Sequence, residues 1–167
     1  RLRAGVMPHL MRRRSSRSFS RRPMAAGELA DVLFAGLGVR ARFRHPVLGT
    51  LRLRMAPSGG ALGPIDGYVY ALRVRGIPRG VYRYNGLTRQ LEPVIAGVRT
   101  EPRSLLGGQD WADGAAAVIF LAAAFERTSW KYRHPIAYRV VLLEAGHIAQ
   151  NLQVAACGLG LAATPTC

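Results

Sequence analysis

Several things are scarce in this 167-residue chain, and each scarcity removes a class of function. Lysine occurs once, at Lys131, although lysine and arginine together number 24. Cysteine occurs only at Cys157 and Cys167, without a metal-ligand spacing or a disulfide framework. Both read as structural filler in a reducing cytoplasm. No apolar run reaches the roughly 18 residues that suggest a membrane span. The longest, Ala115 to Phe125, is short and rich in alanine and reads as a buried core element. No secretory signal is visible in these residues, which open on Arg1 and need not be the whole translation product, and they contain no internal repeat, no linker, and neither a Walker loop nor a dinucleotide fingerprint. One Glu-x-x-His is present, Glu144 to His147, whereas a di-iron bundle needs that motif twice with further glutamates on facing helices. Acidic residues number nine, which leaves a formal charge of +15. Such a charge calls for a polyanionic partner, nucleic acid first, or reflects the arginine-rich composition of a GC-rich coding sequence. Apart from a cluster at Arg12 to Arg22 the arginines are scattered, and aromatics are not interleaved with them as a stacking surface requires. Nucleic acid is therefore the lesser reading.

What is present centres on the stretch Thr128 to Gly158. From Ala137 the apolar residues Val141, Ala145, Ile148, Leu152 and Ala155 recur at steps of three and four, which predicts a helix with one core-facing stripe. Glu144, His147 and Asn151 form a second line beside it, expected to be a buried hydrogen-bonded network at a subunit interface. Gly158 is the expected stop. Just upstream stand Lys131 and Tyr132. Lysine can lose its proton when desolvated and arginine in practice cannot, so a lone lysine reads either as a specific chemical group or as a solvated loop residue.

In chain order, Met11 to Pro23 reads MRRRSSRSFSRRP, in which Arg13, Arg14, Ser15 and Arg17 make a set suited to bidentate capture of a phosphate. The other reading is a disordered basic arm. Glu28, Leu29, Leu33 and Leu37 predict a short amphipathic helix ending near Gly36 and Gly38, so the arm joins folded structure directly. Val39 to Met55 is basic and mixed, with turn signals at His45-Pro46 and Leu48-Gly49 and His45 left on the surface. Ala56 to Pro64 is a small-residue loop in which Gly59 and Gly60 permit close backbone approach to a flat ligand and Ser58 adds a hydroxyl. Tyr68 to Val74, Val81 to Tyr84 and Gln90 to Val94 predict an antiparallel meander turning at Asn85-Gly86. Pro102 to Leu106 reads as a helical turn and Ala117 to Phe125 as a buried strand. The sum is an α+β domain.

The order of these parts resembles the nitroreductase superfamily of flavin mononucleotide (FMN) enzymes. More narrowly it resembles the azoline dehydrogenases that make thiazoles and oxazoles in ribosomally made peptides, the streptolysin and microcin type. RRSSRSF, Arg13 to Phe19, matches the flavin-phosphate motif, with Arg13, Arg14, Ser15 and Arg17 at its contact positions. PSGGALGP matches the loop that reaches the flavin, through Pro57, Ser58, Gly59 and Gly60. WKYRHPIAYRVVLLEAGHIAQNL matches the helix region, and its Lys131-Tyr132 pair matches the catalytic Lys-Tyr motif of the azoline branch.

The resemblance implies a nitroreductase-like fold, a single flavin-binding domain over residues 1–167, and FMN held across a homodimer interface. It implies oxidation of azoline rings to azoles, with either Lys131 or Tyr132 as the base that removes a proton. Because neighbours in a helix or strand do not share a face, their side chains are expected to diverge. The implied partners are an azoline-containing precursor peptide and a cyclodehydratase complex, in the cytoplasm, with no membrane. In the family the chain continues beyond the long helix into a strand and a loop that complete the phosphate site. Here it stops at Cys167, so either that part lies outside these residues or the flavin site is reduced. The alternatives are a nicotinamide-dependent nitroreductase and a catalytically reduced flavin-fold scaffold subunit of a biosynthetic complex.

Overall fold

The structure is a computed structural model that describes residues 5–133 and 135–166. Cys167, one of the two cysteines read as filler, lies outside them.

Among the described residues, six strands and five α-helices follow one another as α1 (Met7–Arg12), α2 (Ala26–Leu37), β1 (Val39–His45), β2 (Gly49–Arg54), β3 (Ile65–Ala71), β4 (Gly80–Asn85), β5 (Gln90–Ala96), α3 (Pro102–Leu105), β6 (Ala117–Ala123), α4 (Glu126–Ser129) and α5 (Pro135–Gly158). Leucines at i and i+4 give α2 its apolar face, and Glu28 reaches back to accept the Ala25 amide at 2.7 Å, closing the first turn. Proline at the first position of α5 costs no hydrogen bond there, so the helix starts two residues before the expected Ala137. Its face carrying Val141 and Ile148, 1% and 0% exposed, packs with Leu29, Leu33 and Leu37 of α2 and with Ile65 and Val69 of β3 in one core. Gly36 of α2 lets the helices close on each other: a Cβ there would sit 2.7 Å from Leu152 Cδ2.

The expected meander forms the sheet β5-β4-β3-β6, antiparallel throughout. The strand expected over Ala117 to Phe125 runs over Ala117–Ala123, but it lies at the sheet edge and is half-buried rather than buried, pairing among the described residues with β3 alone. Small alanines suit that half-covered edge. The segment Val39 to Met55, read only as basic with turns, is an antiparallel hairpin forming its own two-stranded sheet. The expected turn signals do their work: His45 Nδ1 accepts the amides of Val47 and Leu48, and Gly49 takes φ +72°.

Replacing Ile148 by alanine is expected to cost about 2–5 kcal/mol in a denaturant unfolding experiment. The same truncation at Val47, 83% exposed at the hairpin tip, is expected to cost no more than about 0.5 kcal/mol.

Candidate active site

The second and third sequence motifs meet at the N-terminal end of α5. Ser58 ends an extended stretch, and its Oγ accepts the Gly63 amide at 2.9 Å, curling Gly59–Ala61 into a single tight helical turn. Gly60 holds φ +62° within that turn, a backbone that glycine adopts freely. A Cβ at Gly59 would lie 2.6 Å from Val140 Cγ1 and 3.7 Å from Tyr132 Cε2; one at Gly60 would lie 2.6 Å from Lys131 Nζ. The two glycines thus allow the loop to lie directly against the Lys131-Tyr132 pair.

Those two side chains do not diverge. Both amides bond to the Thr128 carbonyl, at 3.1 and 2.9 Å, in the turn leaving α4, so the residues follow neither helix nor strand alternation. Lys131 Nζ lies 5.5 Å from the centroid of the Tyr132 ring, a cation–π contact that keeps the ammonium and the phenol together.

Behind the loop lies a set of charges. Arg54 donates to the carbonyls of Ile65 at 2.7 Å and Gly63 at 3.3 Å. Arg127 grips Asp66 through two bonds of 3.0 and 2.7 Å and also reaches the Gly63 carbonyl. Burial works against ionising Asp66, but Arg127 and then Arg83 outweigh it and hold its carboxyl below the ordinary range.

Glu144 is 2% exposed, and neither carboxylate oxygen has a hydrogen-bond partner among the described residues. Burial raises its carboxyl above the ordinary 4.5, against the opposing influence of Ser58, Arg54 and His147. Among the described residues of one chain, Glu144, His147 and Asn151 do not hydrogen-bond to one another. One step around the helix carries His147 into solvent, and Asn151 donates to the Ala35 carbonyl at 3.1 Å, tying α5 to α2 instead.

The first motif lies elsewhere. Arg13 donates to Gln153 Oε1 at 3.2 Å and the Ser16 amide donates to the Ala163 carbonyl at 3.1 Å, which fastens the arm to the C-terminal end of α5. Arg14 and Ser15 are exposed. Arg14 lines a cavity of about 190 Å³ with Arg12, Ser16, Gln153, Cys157 and Leu161. Arg17 is also exposed and lies over the ring of Trp111, 5.7 Å from its centroid, with Phe19 tilted against the same indole. Val140 and Gln153 mark the two contact points on α5, and at about 1.5 Å per residue they stand roughly 20 Å apart. Within one chain, therefore, the arginine arm and the glycine loop do not share a cavity. Sequence reasoning missed Arg54, Asp66, Trp111 and Arg127 as parts of these two sites.

The sequence model of the Nitroreductase family matches residues 10–167. The chain belongs to the nitroreductase family. A protein of Methanocaldococcus jannaschii named as a nitroreductase is 33% identical to this family member over 156 residues, 91% of the chain and 73% of that protein. The microcin B17-processing protein McbC of Escherichia coli is 34% identical over 161 residues, 88% of the chain and 58% of McbC. Among solved structures, one chain of the Escherichia coli microcin synthetase McbBCD complex with truncated pro-MccB17 bound matches with a TM-score of 0.67 at 27% identity, over 85% of this chain and 53% of that one. This nitroreductase-family chain thus has the α+β fold that the resemblance implied, and a relative of the microcin type. It spans little more than half the length of that relative.

Replacing Glu144 by glutamine is expected to raise the thermal unfolding midpoint at neutral pH. The sign follows from the raised carboxyl: above the ordinary 4.5 the unfolded chain releases its proton while the folded chain retains it, so stability falls as pH rises until the folded group also ionises. Midpoints measured from about pH 4 to about pH 8 should show the variant's advantage growing from near zero. An advantage that does not change with pH would contradict a buried, unpartnered carboxyl.

Proposed function

We propose that the chain is an FMN-dependent oxidoreductase that oxidises azoline rings to azoles in a ribosomally made precursor peptide, beside a cyclodehydratase complex. One observation carries the proposal: Lys131 and Tyr132 converge on the Gly59-Gly60 loop, in a chain 34% identical to a microcin-processing protein.

The residues present suit FMN. Arg14 and Arg17 offer exposed guanidinium groups, and no described carboxylate pairs with either. With Arg13 and Ser15 they supply the fork geometry and hydroxyl that a phosphate monoester accepts. Pro57, Ser58, Gly59 and Gly60 offer a side-chain-poor backbone edge to a flat ring. Bound FMN supplies the acceptor for a hydride. Ring oxidation also releases a proton from the carbon beside the peptide carbonyl, and Lys131 as its neutral amine or Tyr132 as its phenolate takes it. Their mutual contact holds both at the loop, so the residue that does not take the proton orients the one that does.

Because the arm and the loop lie at opposite ends of α5, a shared site needs the arm of one copy beside the loop of another, which is a homodimer. An apolar face on α5 supports this assembly. Tyr138, Leu142 and Leu143 are 57%, 52% and 62% exposed, Gly146 follows one turn on, and Tyr138 is stacked on Phe125. Single exposed leucines need no explanation, but a continuous helical stripe of them calls for a covering surface.

Four outcomes test the proposal. The purified full-length protein is expected to be yellow, with flavin absorption; a colourless protein with no affinity for added FMN favours the scaffold reading. The double variant Lys131→Ala/Tyr132→Phe is expected to keep its flavin spectrum and lose azole formation by about 100-fold or more, whereas wild-type turnover would overturn the assignment. Leu143→Glu is expected to shift the protein to monomer on size-exclusion chromatography and release flavin in proportion. Rapid bleaching of the bound flavin by a nicotinamide donor, with no azole formed, would mark a nitroreductase instead.

A further inference from the structure

The β1–β2 hairpin carries a charge distribution that the redox site does not use. Beyond a register shift between Val39 and Ala41 the side chains of β1 alternate between the two faces of the ribbon, which places Arg42 and Arg44 on one face and Ala41 and Phe43 on the other. Cross-strand pairing sets Arg42 opposite Arg52 and Arg44 opposite Thr50, so Arg52 joins the same basic face. Arg42, Arg44 and Arg52 are exposed, and none has an ion-pair partner among the described residues. Like charges directly opposite on a ribbon repel, and a two-stranded sheet is at best marginal by itself. This hairpin therefore carries an uncompensated cost that an anionic occupant would relieve.

A second copy of the chain is poorly equipped to be that occupant. Of its nine acidic residues, Glu28, Asp66, Glu92, Asp110 and Asp113 are already held in ion pairs, and Glu144 is buried. Only Asp31, Glu101 and Glu126 remain, set against a formal charge of +15 on each copy. The neutralising groups must come from a different, acidic molecule.

We propose that this basic face is the docking strip for an acidic, extended segment of the substrate peptide, an assignment that rests on the peptide-oxidising function proposed above. Arginines at alternate positions recur about every 7 Å, the repeat at which an extended peptide presents alternate side chains on one face. A segment with carboxylates at every second residue therefore matches Arg42 and Arg44 in register, with Arg52 beside them. The hairpin passes through Met55 into the Pro57–Gly60 loop, so a peptide held on it is tethered beside Lys131 and Tyr132. Docking there raises the local concentration of the ring to be oxidised without touching the chemistry.

The test uses fluorescence anisotropy with the full-length protein and a labelled peptide carrying glutamate at every second position, its glutamine counterpart, and a single-stranded DNA oligonucleotide. The acidic peptide is expected to bind, and the glutamine peptide to bind at least about tenfold more weakly, with affinity falling as salt rises. Arg42→Glu/Arg52→Glu is expected to lose at least about tenfold in acidic-peptide affinity, while flavin absorbance and turnover of a short uncharged azoline substrate stay at wild-type values. Arg42→Gln/Arg52→Gln relieves the like-charge opposition, so it should fold at least as well and still lose affinity. Equal affinity for the glutamate and glutamine peptides, undiminished binding by both variants, or tighter binding of the oligonucleotide would overturn the proposal. A colourless protein that still prefers the acidic peptide through these arginines would uphold the docking strip and refute the flavin reading. A yellow, active protein without the preference would do the reverse.

Discussion

The apolar seam between α5 and α2 fixes where everything else can be. Val141 and Ile148 bury against the leucines of α2, Gly36 removes the side chain that would hold the helices apart, and Asn151 ties the pair through the Ala35 carbonyl. With that seam set, α5 becomes a rod of known length with a chemical feature at each end. The arginine arm is fastened at Gln153 and the glycine loop rests against Val140. The separation of the two is a consequence of helix rise, and under the proposed function it makes assembly a condition of activity rather than an addition to it.

The loop end shows how a basic chain uses its few carboxylates. Asp66 is gripped by Arg127 and approached by Arg83, and the two arginines Arg127 and Arg54 both reach the Gly63 carbonyl. Gly63 in turn gives its amide to Ser58. Loop shape is thus passed from an ion pair through one peptide unit to a hydroxyl. Glu144 stands behind the same loop without a hydrogen-bond partner within geometric reach among the described residues, a placement that costs stability in the isolated chain and that hydrophobic packing alone does not explain.

Periodicity made the long helix, α2 and the meander legible, because each has one buried face and the buried face imposes a repeat on the sequence. The hairpin escaped because both of its faces are largely exposed: arginines alternate with Ala41 and Phe43, and no core enforces a clear apolar pattern. The edge position of Ala117–Ala123 escaped for a related reason, since an alanine-rich run reads alike whether one face or both are covered. At the site, the three motifs were readable as residue types and order, and the contact of Gly60 with Lys131 was not, because it depends on a turn that brings sequence neighbours to the same side. Nor was the role of Arg127 and Asp66 readable; ion pairs between residues 61 apart leave no local signature.

One contact at the far end carries a practical corollary. Arg17 lies over Trp111, and Phe19 packs on the same indole, whereas the other tryptophan, Trp130, is more than half exposed. The emission of Trp111 therefore depends on whether the arginine arm is seated, and its colour is an optical gauge of arm position that needs no added label.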